Sequence, residues 1–311
     1  MTLKVVFGAA PLGRWTQEQI DEIFSLLKKE NISVIDTARL YEGSEKLIGT
    51  TAGHEDFVVD TKILGGFSPG SAAKDRIIAD AQDSLDKVKI KQFDILYLHA
   101  PDESVPIEET LDGINEVYKK GIFKRFGLSN FSAEQVQEVY DIAKSKGYVV
   151  PSVYQGNYSA IARATESLLF PTLRKLGFAF YAYSPIAGGF LTKTIEQLDT
   201  GAGRFNAQAL GGLYNALYNK PSLREGLSEW NAIAEKEGVS KAELAYRWVG
   251  FHSQLREELG DAVIFGASSL EQVGQTVEYL RKGKLSDSAA ERIDKFWETV
   301  KHEAPLDNWK K

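Results

Sequence analysis

The sequence predicts a single α/β domain, a (β/α)8 barrel of parallel strands ringed by helices, with extra helices and a C-terminal tail over the rim. Three observations carry that prediction. Short apolar runs alternate with amphipathic segments from end to end, the pattern of parallel strands joined by helical crossovers. Eight strand candidates occur, enough to close a barrel. The first strand runs into Gly8-Ala9-Ala10-Pro11-Leu12-Gly13, which lacks the Gly-x-Gly-x-x-Gly turn of an open dinucleotide-binding sheet. The length of 311 residues suits one barrel, and no linker, short repeat or low-complexity segment divides residues 1–311.

The elements follow in order. Lys4 to Phe7 is a short strand, and Thr16-Gln17-Glu18-Gln19 opens a helix as a capping box, with Ile20, Ile23, Phe24 and Leu27 on one face. Strand Val34 to Ala38 precedes a short helix near Glu45. Strand Phe57 to Lys62 leads to a helix bearing Ile78, Ala81, Leu85 and Val88. Strand Phe93 to Ala100 precedes a helix over Pro106 to Lys120, with proline in the first turn. Strand Lys124 to Leu128 is followed by a helix capped at Ser132 that carries Val136, Val139, Tyr140 and Ala143. Val150 to Tyr154 leads to a helix around Ala164 to Leu176, and Phe178 to Tyr183 into a long irregular stretch, Thr192 to Lys220. Helices Leu223 to Glu237 and Ser240 to Phe251, strand Ala262 to Gly266 and helix Ser269 to Leu280 complete the set, with breaks at Pro221, Gly238 and Pro305.

Composition narrows the function. Hydrophobic residues at 43% and charged residues at 26% provide for a sizeable core, and a formal charge of −6 argues against nucleic-acid or anionic-membrane partners. No cysteine is present, which removes disulfides, thiolate metal sites and cysteine nucleophiles. The four histidines, His54, His99, His252 and His302, form no paired motif, so a metal-dependent hydrolase is poorly supported and no metal is expected. Residues Met1 to Ala10 lack the apolar core of a signal peptide, and no apolar run approaches the roughly 20 residues of a membrane span. A cytoplasmic location is the expectation.

The chemistry lies at strand ends, which converge on one rim of a barrel. Asp36 and Tyr41, Thr61-Lys62, and His99 each stand at or just past the end of an apolar run. A free phenol has a pKa near 10 and gives up its proton reluctantly at neutral pH. An ammonium such as Lys62 stabilises the phenolate and lowers that value, Asp36 can hold the lysine, and His99 can point a ring N–H at a carbonyl oxygen. Taken singly, each residue has a plainer explanation: a packing tyrosine, a turn-initiating aspartate, a solvated lysine, a satisfied rim histidine. Together they favour function, because a core has no use for an aspartate and a lysine at successive strand ends. Ser129-Asn130, Gln155 and Tyr183-Ser184 end later strands and suit a flat ligand with a carboxamide. Ser268-Ser269 open the last helix, either as a phosphate seat or as a plain capping box with Glu271 or Gln272.

These motifs resemble one family. Asp36-Thr37-Ala38-Arg39-Leu40-Tyr41, Thr61-Lys62, Leu96-Tyr97-Leu98-His99, Gly127-Leu128-Ser129-Asn130 and Tyr181-Ala182-Tyr183-Ser184-Pro185 are similar to the aldo-keto reductases, from about Val5 to the C-terminus. Leu98-His99-Ala100-Pro101-Asp102, Val153-Tyr154-Gln155-Gly156, Ala187-Gly188-Gly189, Gly203-Arg204-Phe205, Ser268 to Gln272 and the tail from Trp297 to Pro305 resemble the aflatoxin-aldehyde reductase branch. The resemblance implies a TIM barrel that uses NADPH without a Rossmann domain to reduce an aldehyde or ketone. It implies Tyr41 as the acid, Lys62 as the group that lowers its pKa, Asp36 as the support of Lys62, and His99 as the group orienting the carbonyl. For the cofactor it implies Asp36, Ser129, Asn130 and Gln155 near the nicotinamide and Tyr183 stacked on it. Ser184, Ile186, Gly188, Leu191 and Lys193 would follow along the pyrophosphate, with Arg204, Ser268, Ser269, Gln272 and Thr276 at the adenosine end and its 2′-phosphate. Thr276 stands where the branch usually has asparagine. Leu217 and the ending Asn308-Trp309-Lys310-Lys311 stand near positions where the branch places substrate-side arginines. Tyr214 and Trp309, with Tyr41 and His99, therefore suggest an aromatic substrate pocket rather than one for carboxylate-bearing aldehydes. Partners would be a small carbonyl compound and, since the branch includes dimers, a second copy of the chain. The competing expectation is a nicotinamide-binding regulatory subunit, like the accessory barrels of potassium channels, with little turnover.

Overall fold

The computed structural model describes residues 3–309, the side chain of Leu210 excepted. Eight parallel strands pair in sequence order and the last closes on the first. The elements run β1 (Lys4–Gly8), α1 (Gln17–Lys29), β2 (Val34–Asp36), α2 (Ser44–Thr50), β3 (Val58–Ile63), α3 (Lys74–Val88), β4 (Phe93–Leu98), α4 (Ile107–Lys119), β5 (Phe123–Ser129), α5 (Ala133–Ser145) and β6 (Pro151–Asn157). They continue with α6 (Thr165–Leu168), α7 (Phe170–Leu176), β7 (Ala179–Tyr183), α8 (Ile195–Asp199), α9 (Leu213–Tyr218), α10 (Pro221–Glu237), α11 (Lys241–Phe251), β8 (Ala262–Phe265), α12 (Leu270–Tyr279) and α13 (Asp287–Val300). No helix among the described residues is long and apolar enough to cross a membrane.

Strand alternation divides the apolar residues into two layers. Val6, Val34, Ile95, Tyr97, Val153, Ala179, Tyr181, Ala262 and Ile264 pack together inside the barrel. Their strand neighbours Phe7, Ile35, Leu96, Leu98, Phe180, Val263 and Phe265 belong to the larger layer between strands and helices. Capping boxes fix the starts of α1 at Thr16 and of α5 at Ser132.

Several expectations need correction. The helix expected over Ala164 to Leu176 is two helices, broken at Leu169. Pro171 has no N–H to continue the ladder, and its ring opposes the carbonyl four residues back. The stretch Thr192 to Lys220 contains α8, whose Thr194–Gln197 capping box is a local signal present in the sequence, and α9. Pro106 is the N-cap of α4 rather than its first residue. Strand β2 ends at Asp36 and β4 at Leu98, so Tyr41 and His99 lie on the loops beyond them. Helix α13, capped by Ser286, was missed and covers the barrel together with α10.

Gly49 marks the tightest helix contact: a Cβ there would lie 2.0 Å from the Lys87 carbonyl oxygen in the last turn of α3. Gly49→Ala is predicted to destabilise the protein by about 1–3 kcal/mol, despite the better helix propensity of alanine. A lower urea midpoint with an unchanged slope would agree; an unchanged midpoint would mean that α2 simply slides off α3.

Candidate active site

The rule that splits the core also builds the site. Two residues above inward-facing Val34 stands Asp36, above Tyr97 stands His99, above Val153 stands Gln155, and above Tyr181 stands Tyr183. Lys62 is wholly buried and its Nζ donates to Asp36 Oδ1 at 2.8 Å, Asp36 Oδ2 at 2.7 Å and the Thr37 carbonyl at 2.7 Å. Those three bonds use all its protons, so it acts on neighbouring groups through its field. Burial works against the Lys62 charge, but Asp36 outweighs it and the ammonium is held above its ordinary pKa. Gln155 donates to Asp36 Oδ1 at 2.8 Å.

Tyr41 reaches over this pair, with Lys62 Nζ 5.2 Å from its ring centre and the His99 ring 5.9 Å away, edge to face. Here the expectation of a lowered phenol pKa needs correction. Burial pushes the Tyr41 phenol above its ordinary value, Lys62 opposes the rise, and Asp36 adds to it. The lysine is already neutralised by its aspartate, so desolvation prevails. Burial, with Lys62 nearby, holds His99 well below its ordinary pKa, so its ring is neutral at pH 7, and its Nδ1 has no protein partner. Thr61 faces outward and donates to Glu45 at 2.7 Å, so it takes no part in the pocket.

The cofactor candidates divide. Asn130 donates to the His99 carbonyl at 2.7 Å, Ser129 lies beside it, and the Tyr183 hydroxyl donates to Asn130 Oδ1 at 3.3 Å. Asn130, Ser184, Ala187, Gly188 and Gly189 all have positive φ, so backbone geometry is unusual along the rim beyond β5 and β7. Ile186 is half-buried, whereas Leu191 is buried in the outer core, which removes its side chain from any ligand. Gly188 carries the Tyr214 ring where a Cβ would sit. Lys193 and Lys241 are neighbours, and burial with that repulsion lowers the Lys241 pKa. Arg204 donates to the Tyr214 hydroxyl at 2.7 Å and lies over its ring. At the start of α12, Ser269 accepts from the Gln272 amide, and the Gln272 side chain accepts from Ser268. Ser269 thus caps the helix through the Gln272 amide, but the reciprocal bond of a capping box is not made, because the Gln272 side chain turns to Ser268 instead. Thr276 is buried and its side chain bonds Tyr246. Leu217 is buried in the core.

The side expected to face a substrate is aromatic. Phe67 lies 4.8 Å from His99 and 4.4 Å from Trp309, centre to centre, so the tail does cover the rim; Lys310 and Lys311 are outside the described residues. The Asn308 amide donates to the Tyr183 hydroxyl at 3.2 Å. Sequence reasoning missed Phe67, whose only signal is its place beyond the Gly65-Gly66 pair after Lys62. It also missed Asp60, two residues below Lys62 on the same inward face, which the alternation alone would have located. Asp60 pairs in register with Asp36; its Oδ1 accepts from the Ile95 amide at 3.1 Å and its Oδ2 has no partner. Burial, then Asp36 and Asp94, raise its pKa well above the carboxylate range.

A phenol and a neutral imidazole meet edge to face above a buried ion pair, a geometry suited to placing a proton on a carbonyl oxygen. The comparisons agree with that class. The pattern of the Aldo/keto reductase family matches residues 4–298. The chain is 40% identical to an oxidoreductase named sirO from Leptosphaeria maculans, over 97% of this chain and 95% of that protein. It is 37% identical to human aldo-keto reductase family 7 member A3 (87% and 86% covered) and 34% to rat aflatoxin B1 aldehyde reductase member 2 (89% and 79%). The chain belongs to the aldo/keto reductase family, oxidoreductases that act on small carbonyl compounds with NAD(P)H.

Asp60 yields a stability prediction. A carboxyl whose folded pKa is raised contributes fully below its unfolded value, about 4, and loses that contribution as pH climbs through the folded value. Asn mimics the neutral acid and keeps the bond to Ile95. Asp60→Asn should therefore match the wild type at pH 4 and be more stable at pH 8, by urea titration. Equal loss at both pH values would show instead that Asp60 is ionised and paired.

Proposed function

We propose that the protein reduces an aldehyde or ketone to an alcohol with NADPH, Tyr41 donating the proton. The carrying observation is the Tyr41 phenol set beside neutral His99 and the buried Lys62–Asp36 pair. His99 donates one N–H to the carbonyl oxygen and holds it against the phenol. As charge grows on that oxygen, Tyr41 passes its proton, and the field of Lys62 steadies the phenolate left behind. Asp36 fixes the lysine, and Gln155 fixes Asp36. The nicotinamide, when bound, supplies the hydride.

The residues present fit such a dinucleotide. Ser129, Asn130 and the free face of Gln155 suit a carboxamide, and the Tyr183 ring suits a flat heterocycle. The glycine-rich turn from Ser184 to Lys193 suits a pyrophosphate, and Lys193, Lys241 and Arg204 suit phosphates, the 2′-phosphate included. Leu191 serves through its backbone alone. Tyr214, Phe67 and Trp309 suit an apolar, planar carbonyl compound. The reading extends to a cytoplasmic enzyme, with self-association left to the family expectation of dimers.

NADPH oxidation with 4-nitrobenzaldehyde should exceed that with succinic semialdehyde; the reverse order would overturn the pocket assignment, and no turnover with either would favour the regulatory-subunit reading. Tyr41→Phe should lower kcat by about 10²–10⁴-fold with dinucleotide affinity unchanged within about twofold. Turnover equal to wild type would remove Tyr41 from the mechanism. Arg204→Ala should weaken NADPH binding by about tenfold or more, the scale of one charged hydrogen bond, and NADH binding far less, both read by fluorescence titration. Parallel losses would place Arg204 away from the 2′-phosphate.

A further inference from the structure

One buried ionic cluster plays no part in that chemistry. It lies behind the barrel wall, where α3 packs against the loop after β2. Arg39, two residues before Tyr41, has only 12% of its side chain exposed. Its Nη1 donates to the Asp80 carbonyl at 2.9 Å, the Asp83 carboxylate at 2.8 Å and the Ser84 hydroxyl at 2.9 Å. Its Nη2 donates to the Asp80 carboxylate at 3.0 Å, whose other oxygen is held by Arg76.

The cluster grips the chain beside both Tyr41 and Lys62. The Arg39 amide donates to the Lys62 carbonyl at 3.2 Å. Glu45, 4.0 Å from the Arg39 guanidinium, accepts from Thr61, the residue before Lys62. The far end of the Tyr41 turn is held by the buried Ser44 hydroxyl, which bonds Thr37 and the Ala9 carbonyl. Between these anchors Leu40, Glu42 and Gly43 are exposed, and the Tyr41 backbone makes the turn bonds Tyr41 to Ala38 and Ser44 to Tyr41.

We propose that Arg39 is a positioning residue for the reduction: it clamps the Asp36–Tyr41 turn to α3 and so sets the separation of the Tyr41 phenol and the Lys62 ammonium. The proposal rests on the reductase reading above. A guanidinium suits the task because its rigid planar fork fixes the directions of its bonds to several acceptors, whereas an ammonium is a compact point charge on a flexible stem. A small displacement suffices to matter, since a shift of about 1 Å at a catalytic group can cost about 10²-fold in rate. The charged and titratable groups around Tyr41 are Lys62 and Asp36 beneath it, His99 across the site, Tyr214 of α9, and Arg204. Burial raises the Tyr41 pKa more than Lys62 lowers it, so a Tyr41 that drifts outward sheds both and titrates nearer its ordinary value.

The test compares Arg39→Met and Arg39→Lys with Arg174→Met, which breaks another largely buried pair, with Asp261, at the opposite end of the barrel. Arg39→Met is expected to lower kcat for 4-nitrobenzaldehyde by at least about tenfold, with NADPH affinity within about twofold, and to move the alkaline limb of kcat to lower pH. Arg39→Lys should recover part of both effects. Arg174→Met should lower Tm while leaving kcat and the limb in place. If Arg39→Met lowers Tm but leaves kcat and the limb as in wild type, Arg39 is structural and the proposal fails. If the wild type shows no turnover, the reductase reading fails separately. Hydrogen exchange at the Tyr41 and Ser44 amides then decides: faster exchange in Arg39→Met supports the clamp, and unchanged exchange overturns it.

Discussion

Barrel closure is the constraint on which everything else depends. Once eight strands pair in a ring, each inward position is fixed by its neighbours, and one residue of slip would turn the whole set outward. Val34, Tyr97, Val153 and Tyr181 pack inside the ring, and the next inward positions become Asp36, His99, Gln155 and Tyr183. The apolar residues below thus act as a gauge for the polar ones above. The loops inherit this precision only where something holds them, as α3 holds Arg39 and the Gly65-Gly66 backbone holds Trp309.

Charge inside the barrel is tolerated because it is matched at short range. Lys62 and Asp36 are both out of water, and the pair stands because all three ammonium protons have acceptors and Asp36 gains a further donor from Gln155. Asp60 shows the other solution. Adjacent to Asp36 and without a cation of its own at bonding distance, it has its pKa raised well above the carboxylate range by burial and by Asp36. His99 stays neutral, since a second positive charge beside Lys62 would find no anion. The phenol of Tyr41 is left as the titrating group beside His99 and above the Lys62–Asp36 pair.

The barrel and the four central residues were legible because strand periodicity and strand ends are local patterns. Asp36, Lys62 and His99 each follow an apolar run, and Tyr41 follows Asp36 at turn distance. What escaped was set by three-dimensional packing. Nothing in Gly65-Gly66-Phe67 announces that the ring will stack between His99 and Trp309, which is distant in sequence. The direction of the Tyr41 shift depends on how completely Asp36 cancels Lys62, a matter of distances. Leu191 looked available because its neighbours are loop-like, yet its side chain is drawn into the outer core. Helix α8, by contrast, was written in Thr194 and Gln197.

The hydrogen bonding of Lys62 has a consequence for chemical self-protection. An aldehyde and an unprotonated amine condense to an imine, and an enzyme that holds aldehydes beside a lysine risks blocking itself at each encounter. Here the ammonium is held above its ordinary pKa and every proton on Nζ is bound to Asp36 or Thr37. No lone pair is presented to the substrate. The pair proposed to supply the field at Tyr41 also keeps Lys62 from acting as a nucleophile toward carbonyl compounds.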